Sequence, residues 1–179
     1  MLQEREAELA RIQRIAGVGG LEIDFRDGVK NRRSPEYLLV HGLPPEATNE
    51  TYEEWVSRIH PEDRERTVQH LFGVLKSESE DYSAVYRIVR PNDGATRWIR
   101  VVAKIERDGN RRALRLVGAD CDVTAQALAQ ATLRESEERF RLIADSAPVP
   151  VWVTKLDRTR SFANQAYLCL LYTSPSPRD

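Results

Sequence analysis

Residues 82–124, YSAVYRIVRPNDGATRWIRVVAKIERDGNRRALRLVGADCDVT, decide the fold. Tyr82, Ala84, Tyr86 and Ile88 recur at every second position of 82–90, the period of a half-buried strand. Pro91-Asn92-Asp93-Gly94 supplies a turn in which Gly94 can take a positive φ. Alternation resumes over 97–105, with Ile99, Val101, Ala103 and Ile105 on one face and Trp98, Arg100 and Lys104 on the other. Asp108-Gly109-Asn110 turns the chain again, and 114–123 reads as a third strand ending in Asp122-Val123-Thr124. From Ala125 the pattern is helical for about 20 residues. An antiparallel meander whose last strand runs straight into a long helix suits a module that passes a mechanical signal outward.

Working towards the N-terminus, three short helices each carry their own punctuation. Pro61 opens one, with Glu62 and Asp63 complementing its positive dipole end and Val68, Leu71, Phe72 and Leu75 forming its apolar stripe. His60-Pro61-Glu62-Asp63 is thereby explained as a helix start, without catalysis. Thr51 and Glu54 form a capping-box pair for another, whose Tyr52, Trp55, Val56 and Ile59 share one face. Ser34 caps the first, Pro35 occupies its opening position and Gly42 ends it. Leu21, Ile23 and Phe25 alternate with polar residues as a strand, Asp27-Gly28 turns it and 30–33 pairs with it. Residues 2–16 read as a helix ended by 17–20, with Leu2, Leu9, Ile12 and Ala16 at heptad-like spacing. It is either an amphipathic helix packed on its own domain or part of a dimerising coil. Two turns of seam alone are marginal in water.

Five motifs in order then carry a resemblance: Ser34-Pro35-Glu36-Tyr37, 59–64 (IHPEDR), 86–91 (YRIVRP), Arg97-Trp98-Ile99 and Asp122-Val123-Thr124. Together they resemble a PAS domain of the subtype common in bacterial sensor histidine kinases, over roughly residues 17–124. The resemblance implies an α+β fold: a five-stranded antiparallel sheet with short helices on one face, flanked by N- and C-terminal signalling helices. The family often has an aromatic residue before the Ser-Pro. Arg33 stands there instead, which should alter the local packing and a pocket contact. Residues 137–148 (EERFRLIADSAP) resemble the opening of a second PAS domain, and 149–154 with 160–163 repeat the opening strand pair before Asn164. The expected division is therefore an N-terminal helix 1–16, a PAS domain 17–124, a linker or coiled-coil helix 125–139, and the start of a truncated second PAS domain 140–168. The tail 169–179, CLLYTSPSPRD, resembles the translation of a sequencing-library transposon adapter, and is expected not to be biological.

Composition bounds the function. The 179 residues allow one domain of about 110 residues plus flanking pieces. The formal net charge is −1, which supplies no basic field for nucleic acid. No apolar run approaches a membrane span, although a longer parent could carry an anchor elsewhere. The N-terminus is no signal peptide, and the two cysteines build no disulfide framework, so the cytoplasm is the expected compartment.

Candidate chemistry is sparse. None of His41, His60 and His70 is followed by an acidic residue as in a kinase phospho-acceptor helix, and glycine-rich ATP-binding boxes are missing from this stretch. Haem ligation by His70 is not supported, because on a helical wheel it lies opposite the apolar stripe and should face solvent. Covalent flavin binding is not supported either, because the cysteine motif it requires is absent. Cys121 reads as a small core residue and metal-ligand spacing is absent, so no catalytic or metal-binding residues are assigned. The cofactor stays unknown, and an unidentified small molecule is an open partner. Trp55, Tyr82, Tyr86 and Trp98 would line a pocket or fill a core, the latter favoured.

Asp122 and Thr124 can cap the output helix, and the resemblance makes them the couplers of sheet to helix. Ala129, Leu133, Ser136, Phe140 and Ile143 form a weak two-heptad seam, read as a signalling coil in preference to a plain linker. The expected assembly is a homodimer through helices 1–16 and 125–145. The functional expectation is a sensory and dimerisation module of a two-component protein, its parent a sensor histidine kinase. The alternative is a ligand-binding or scaffolding module of a diguanylate cyclase or another regulator. A free-standing enzyme finds no catalytic constellation in these residues.

Overall fold

The computed structural model describes residues 5, 8, 11–12, 15–26 and 28–173. Most of the expected helix 2–16, including Leu2 and Leu9 of its seam, lies outside the described residues. The chain divides into two compact units, Met1–Ala127 and Leu128–Asp179.

The first unit is built on a five-stranded antiparallel sheet of order β2-β1-β5-β4-β3. Its strands are β1 (Val18–Asp24), β2 (Lys30–Arg33), β3 (Asp81–Val89), β4 (Thr96–Arg107) and β5 (Ala113–Asp122). Between β2 and β3 come α1 (Pro35–His41), α2 (Tyr52–Arg58) and α3 (Pro61–Lys76). The alternation along β3 and β4 buries what the pattern predicts: Tyr82, Tyr86 and Ile88 face inward beside Ile99, Val101, Ala103 and Ile105, with Leu116 and Ile59 completing the core. This is the expected α+β architecture.

Helix ends follow their side-chain chemistry. Ser34 Oγ accepts the Tyr37 N–H at 3.2 Å and also the Gly20 N–H at 2.9 Å, so the cap of α1 is tied to β1. The Thr51–Glu54 capping box forms in both directions. At the start of α3, Asp63 does more than complement the dipole. Its carboxylate accepts the Arg87 backbone N–H at 2.8 Å and two guanidinium hydrogen bonds at 2.9 and 3.0 Å, clamping α3 to β3. Those Arg87 hydrogen bonds hold the Asp63 carboxyl down at about 2.

Several expectations are corrected. Strand β1 starts at Val18, so 17–20 only partly serves as a helix stop. The reason is steric: a Cβ on Gly19 would lie 2.7 Å from the Tyr37 backbone nitrogen, so the glycine lets α1 cross β1 closely. The expected turn at 108–110 forms, closed by the Arg111 N–H to the Asp108 carbonyl, with Arg111 left-handed at φ 65°. Of the expected face of α2, Tyr52 is exposed, whereas Arg58 is buried by its pairing with Glu50. Cys121 is half-buried and outside the core, because the alternation of β5 turns its neighbour Asp120 inward.

Helix α4 (Thr124–Ser146) leaves β5 after one residue and crosses the boundary between units. The second unit holds the hairpin β6 (Trp152–Thr154) and β7 (Arg160–Ala163), then α5 (Gln165–Thr173). Asn164, fully buried, sits at their junction.

Candidate functional site: an internal cavity and the strand-to-helix junction

The inner face of the sheet and helices α2 and α3 line a cavity of about 300 Å³ that opens to solvent past Val29, Tyr52 and Phe72, at the small end of ligand pockets. Tyr82 and Tyr86 from β3 line it together with Trp55 from α2. Trp55 Nε1 donates to the Tyr86 hydroxyl at 3.2 Å with the rings edge-to-face, which fixes both. The exposed Tyr52 and Phe72, 5.8 Å apart, also line it and bridge α2 to α3. Trp98 does not line it. It lies on the opposite face of the sheet, 5.4 Å from the Arg87 guanidinium carbon.

One end of the cavity carries a polar cluster that the sequence pattern did not single out. Glu50 is buried and pairs with Arg58 and, at 3.5 Å, with Arg33. The Tyr37 hydroxyl donates to Glu50 Oε2 at 3.2 Å. Arg33, noted for its unusual position before the Ser-Pro, lies 4.8 Å over the Tyr37 ring and lines the cavity. Burial pushes the Tyr37 phenol up to about 12, with the Asp120 carboxylate adding to it. The missed residues are Glu50, Arg58, His41 and Asp120. Each looks like a surface residue by composition, and only the fold shows them to be buried.

His41, fully buried at the end of α1, stacks on Tyr37 at 4.0 Å and bonds Asp120 Oδ2 through Nε2 at 2.9 Å. Burial pushes the imidazole below its usual 6.5, against the hydrogen bond to Asp120. A neutral ring with its proton on Nε2 therefore donates to Asp120. His70 is exposed as its wheel position predicts, yet its ring packs 5.5 Å from Tyr82 and its Nε2 bonds the Ser83 carbonyl on β3.

The junction of sheet and output helix is hydrogen-bonded across strands. Asp122 Oδ1 accepts the Thr124 N–H at 2.8 Å, an Asx turn leading into α4 in place of the expected cap, because the Ala127 N–H to Val123 carbonyl bond makes Val123 the cap position. The Thr124 hydroxyl accepts the Trp98 N–H from β4 at 2.9 Å, while the Val123 N–H donates to the Trp98 carbonyl at 2.8 Å. The first residue of α4 is thus bonded by its side chain to the central strand pair that lines the cavity.

Residues 31–119 match the sequence profile described as PAS fold. Among curated proteins, the chain is 28% identical over 126 residues to the two-component sensor PprA of Pseudomonas aeruginosa, covering 70% of this chain and 13% of that protein. It is 33% identical over 100 residues to the uncharacterized protein y4lL of Sinorhizobium fredii, covering 56% and 12%. The chain therefore spans only about an eighth of the relatives it matches. Among solved structures, a sensory box histidine kinase/response regulator from Burkholderia thailandensis superposes with TM-score 0.62 at 24% identity, covering 74% of this chain and 97% of that one. The N-terminal domain of a diguanylate cyclase with PAS/PAC sensor from Marinobacter aquaeolei gives 0.54 at 25%, covering 62% and 98%. No helix among the described residues is long and apolar enough to cross a membrane. With the strand order, the helices on one face and the profile match in agreement, the domain spanning residues 31–119 belongs to the PAS fold family.

Proposed function

We propose that this chain is the sensory and dimerisation segment of a larger two-component signalling protein, with a histidine kinase as parent. The cavity is the input and the β5–α4 junction the output. The observation that carries this reading is the Trp98 N–H to Thr124 hydroxyl bond, which makes the helix start a continuation of the cavity-lining sheet. A shift of β4 relative to β5 is then felt directly at the first turn of α4. The resemblance to a two-component sensor and to a histidine kinase/response regulator supports the parent. The cytoplasm is the compartment this reading assigns to the segment.

The domain division follows the same reading, with the start of a second PAS domain at 140–168. Its support is a repeated hydrogen-bond pattern. In the first unit Ser34 donates its N–H to the Gly20 carbonyl at 2.9 Å, and its hydroxyl accepts from Gly20 and Tyr37. In the second, Asn164 donates to the Val151 carbonyl at 2.9 Å, and its Oδ1 accepts from Val151 and Tyr167. Each side chain caps the helix that follows it by accepting the N–H three positions on, and is bonded to Gly20 of β1 in the first unit and to Val151, next to β6, in the second. Helix α5 runs through Thr173, across the expected start of the adapter-like tail.

The resemblance to a diguanylate cyclase sensor favours a second reading, a module feeding that output. Sequence downstream in the parent separates them: a phospho-acceptor histidine with ATP-lid glycines, or a Gly-Gly-(Asp/Glu)-Glu-Phe run. The junction itself is tested by Asp122→Ala and Thr124→Val in the intact parent. Output should lose its response to stimulus while the domain stays folded, the loss of one hydrogen bond costing about 1 kcal/mol. Unchanged output in both variants would remove the coupling role.

A further inference from the structure

Four polar atoms of residues on the cavity wall have no hydrogen-bond partner among the described residues: Asp120 Oδ1, the Tyr82 hydroxyl, Arg33 Nε and Glu50 Oε1, the last of which is ion-paired with Arg58. Asp120 is 1% exposed and Tyr82 4%. Such atoms are rare in folded proteins, because an unsatisfied buried carboxylate oxygen forfeits its hydration. The other oxygen of Asp120 is taken by His41, while Arg33 and Arg58 each turn a terminal nitrogen to Glu50. Asp120 therefore presents an unpartnered acceptor to a chamber whose body is walled by Trp55, Tyr86, Phe72 and aliphatic side chains, with Arg33 and Glu50 at its polar end. Taking the volume per water as a guide, the chamber admits on the order of ten heavy atoms.

We propose that the cavity binds a small, largely apolar aromatic molecule whose head group donates a hydrogen bond, ammonium or hydroxyl, to Asp120 Oδ1. The aromatic walls hold the apolar body, and Tyr82 supplies a second contact to the head. Acceptor-only heads, an ether oxygen or a carboxylate, leave Asp120 unsatisfied, and a carboxylate adds like-charge repulsion. This inference rests on the reading of the cavity as the sensory input.

The test is calorimetric titration of the full chain with four probes of one shape: 2-phenylethylamine, 2-phenylethanol, its methyl ether and 3-phenylpropionate. The amine or the alcohol should bind about tenfold or more tightly than the ether, the size of one hydrogen bond to a charged group. The propionate should not bind. In Asp120→Asn the amide oxygen can accept from His41 and turn its NH2 to the chamber, so the donor preference should vanish or reverse towards the ether. Reversal is not an effect that mere loosening of the fold produces, and a matching urea midpoint checks the variant. Should Asp120→Asn fail to fold, the comparison of the four probes on the unaltered chain decides alone. Equal binding of all four overturns the assignment of the head group but leaves the cavity as input. No binding by any of them overturns both.

Discussion

At the scale of single residues, two buried acid–base groups set how the domain responds to acid. His41 is pushed below its ordinary 6.5 by burial, so the unfolded chain takes up this proton before the native one does. Stability is therefore complete above about pH 6.5 and declines as pH falls from there towards the folded value. Asp63 behaves as a depressed acid, about 2 in the fold against 3.8 unfolded. Its contribution is present above about pH 4 and is lost as pH falls through 2. Allowing for solvent around Arg87, it amounts to about 1–2 kcal/mol. Urea unfolding across a pH series should show two limbs. His41→Gln, which keeps a donor for Asp120, should abolish the upper limb and leave the lower. A wild-type profile flat between about pH 7 and 5 would contradict the buried neutral imidazole.

At the scale of elements, the meander and the capped helices were legible because each is written in local chemistry. The alternation of β3 and β4, the Thr51–Glu54 box and the Ser34-Pro35 start depend on neighbours in sequence. What was not legible is long-range: nothing local marks Asp120 as buried, since its partner His41 lies 79 positions away. Trp98 shows the converse, an aromatic residue that composition would place in a pocket but whose parity on β4 turns it outward under Arg87. Gly19 belongs to the same long-range class. It sits inside a strand, where glycine is normally unfavourable, because Tyr37 of α1 occupies the space of its missing side chain. Gly19→Ala must therefore push α1 away from β1, and with it the Tyr37–His41 stack. The expected cost is about 1–3 kcal/mol, read as a lower urea midpoint with an unchanged m-value. A midpoint within error of wild type would mean that α1 yields freely and the close crossing is not needed.

At the scale of the whole molecule, the open matter is association. Helix α4 carries Leu133, Phe140 and Ile143 on its seam, and Leu133 and Ile143 are 62% and 65% exposed. Phe140 is drawn towards Phe162 at 5.1 Å, within its own unit. The seam is flanked by the ion pairs Arg134–Glu138 and Glu135–Arg139, one turn apart, which favour the helix without fixing a partner. The dimer we propose pairs α4 with a second copy of itself, since heptad spacing would place equivalent positions opposite one another in a parallel pair. With Ala129 and Ser136 filling two of the five positions, such a dimer is weak, which is what a switch requires: a few kcal/mol from the sensory domain can then reset its packing. Sedimentation of the full chain should show a concentration-dependent monomer–dimer equilibrium, and the double variant Leu133→Asp/Ile143→Asp should remain monomeric with an unaltered unfolding midpoint. If the double variant sediments as the wild type does, the helix is a linker, and the coupling proposed at Thr124 would have to act along one chain rather than between two.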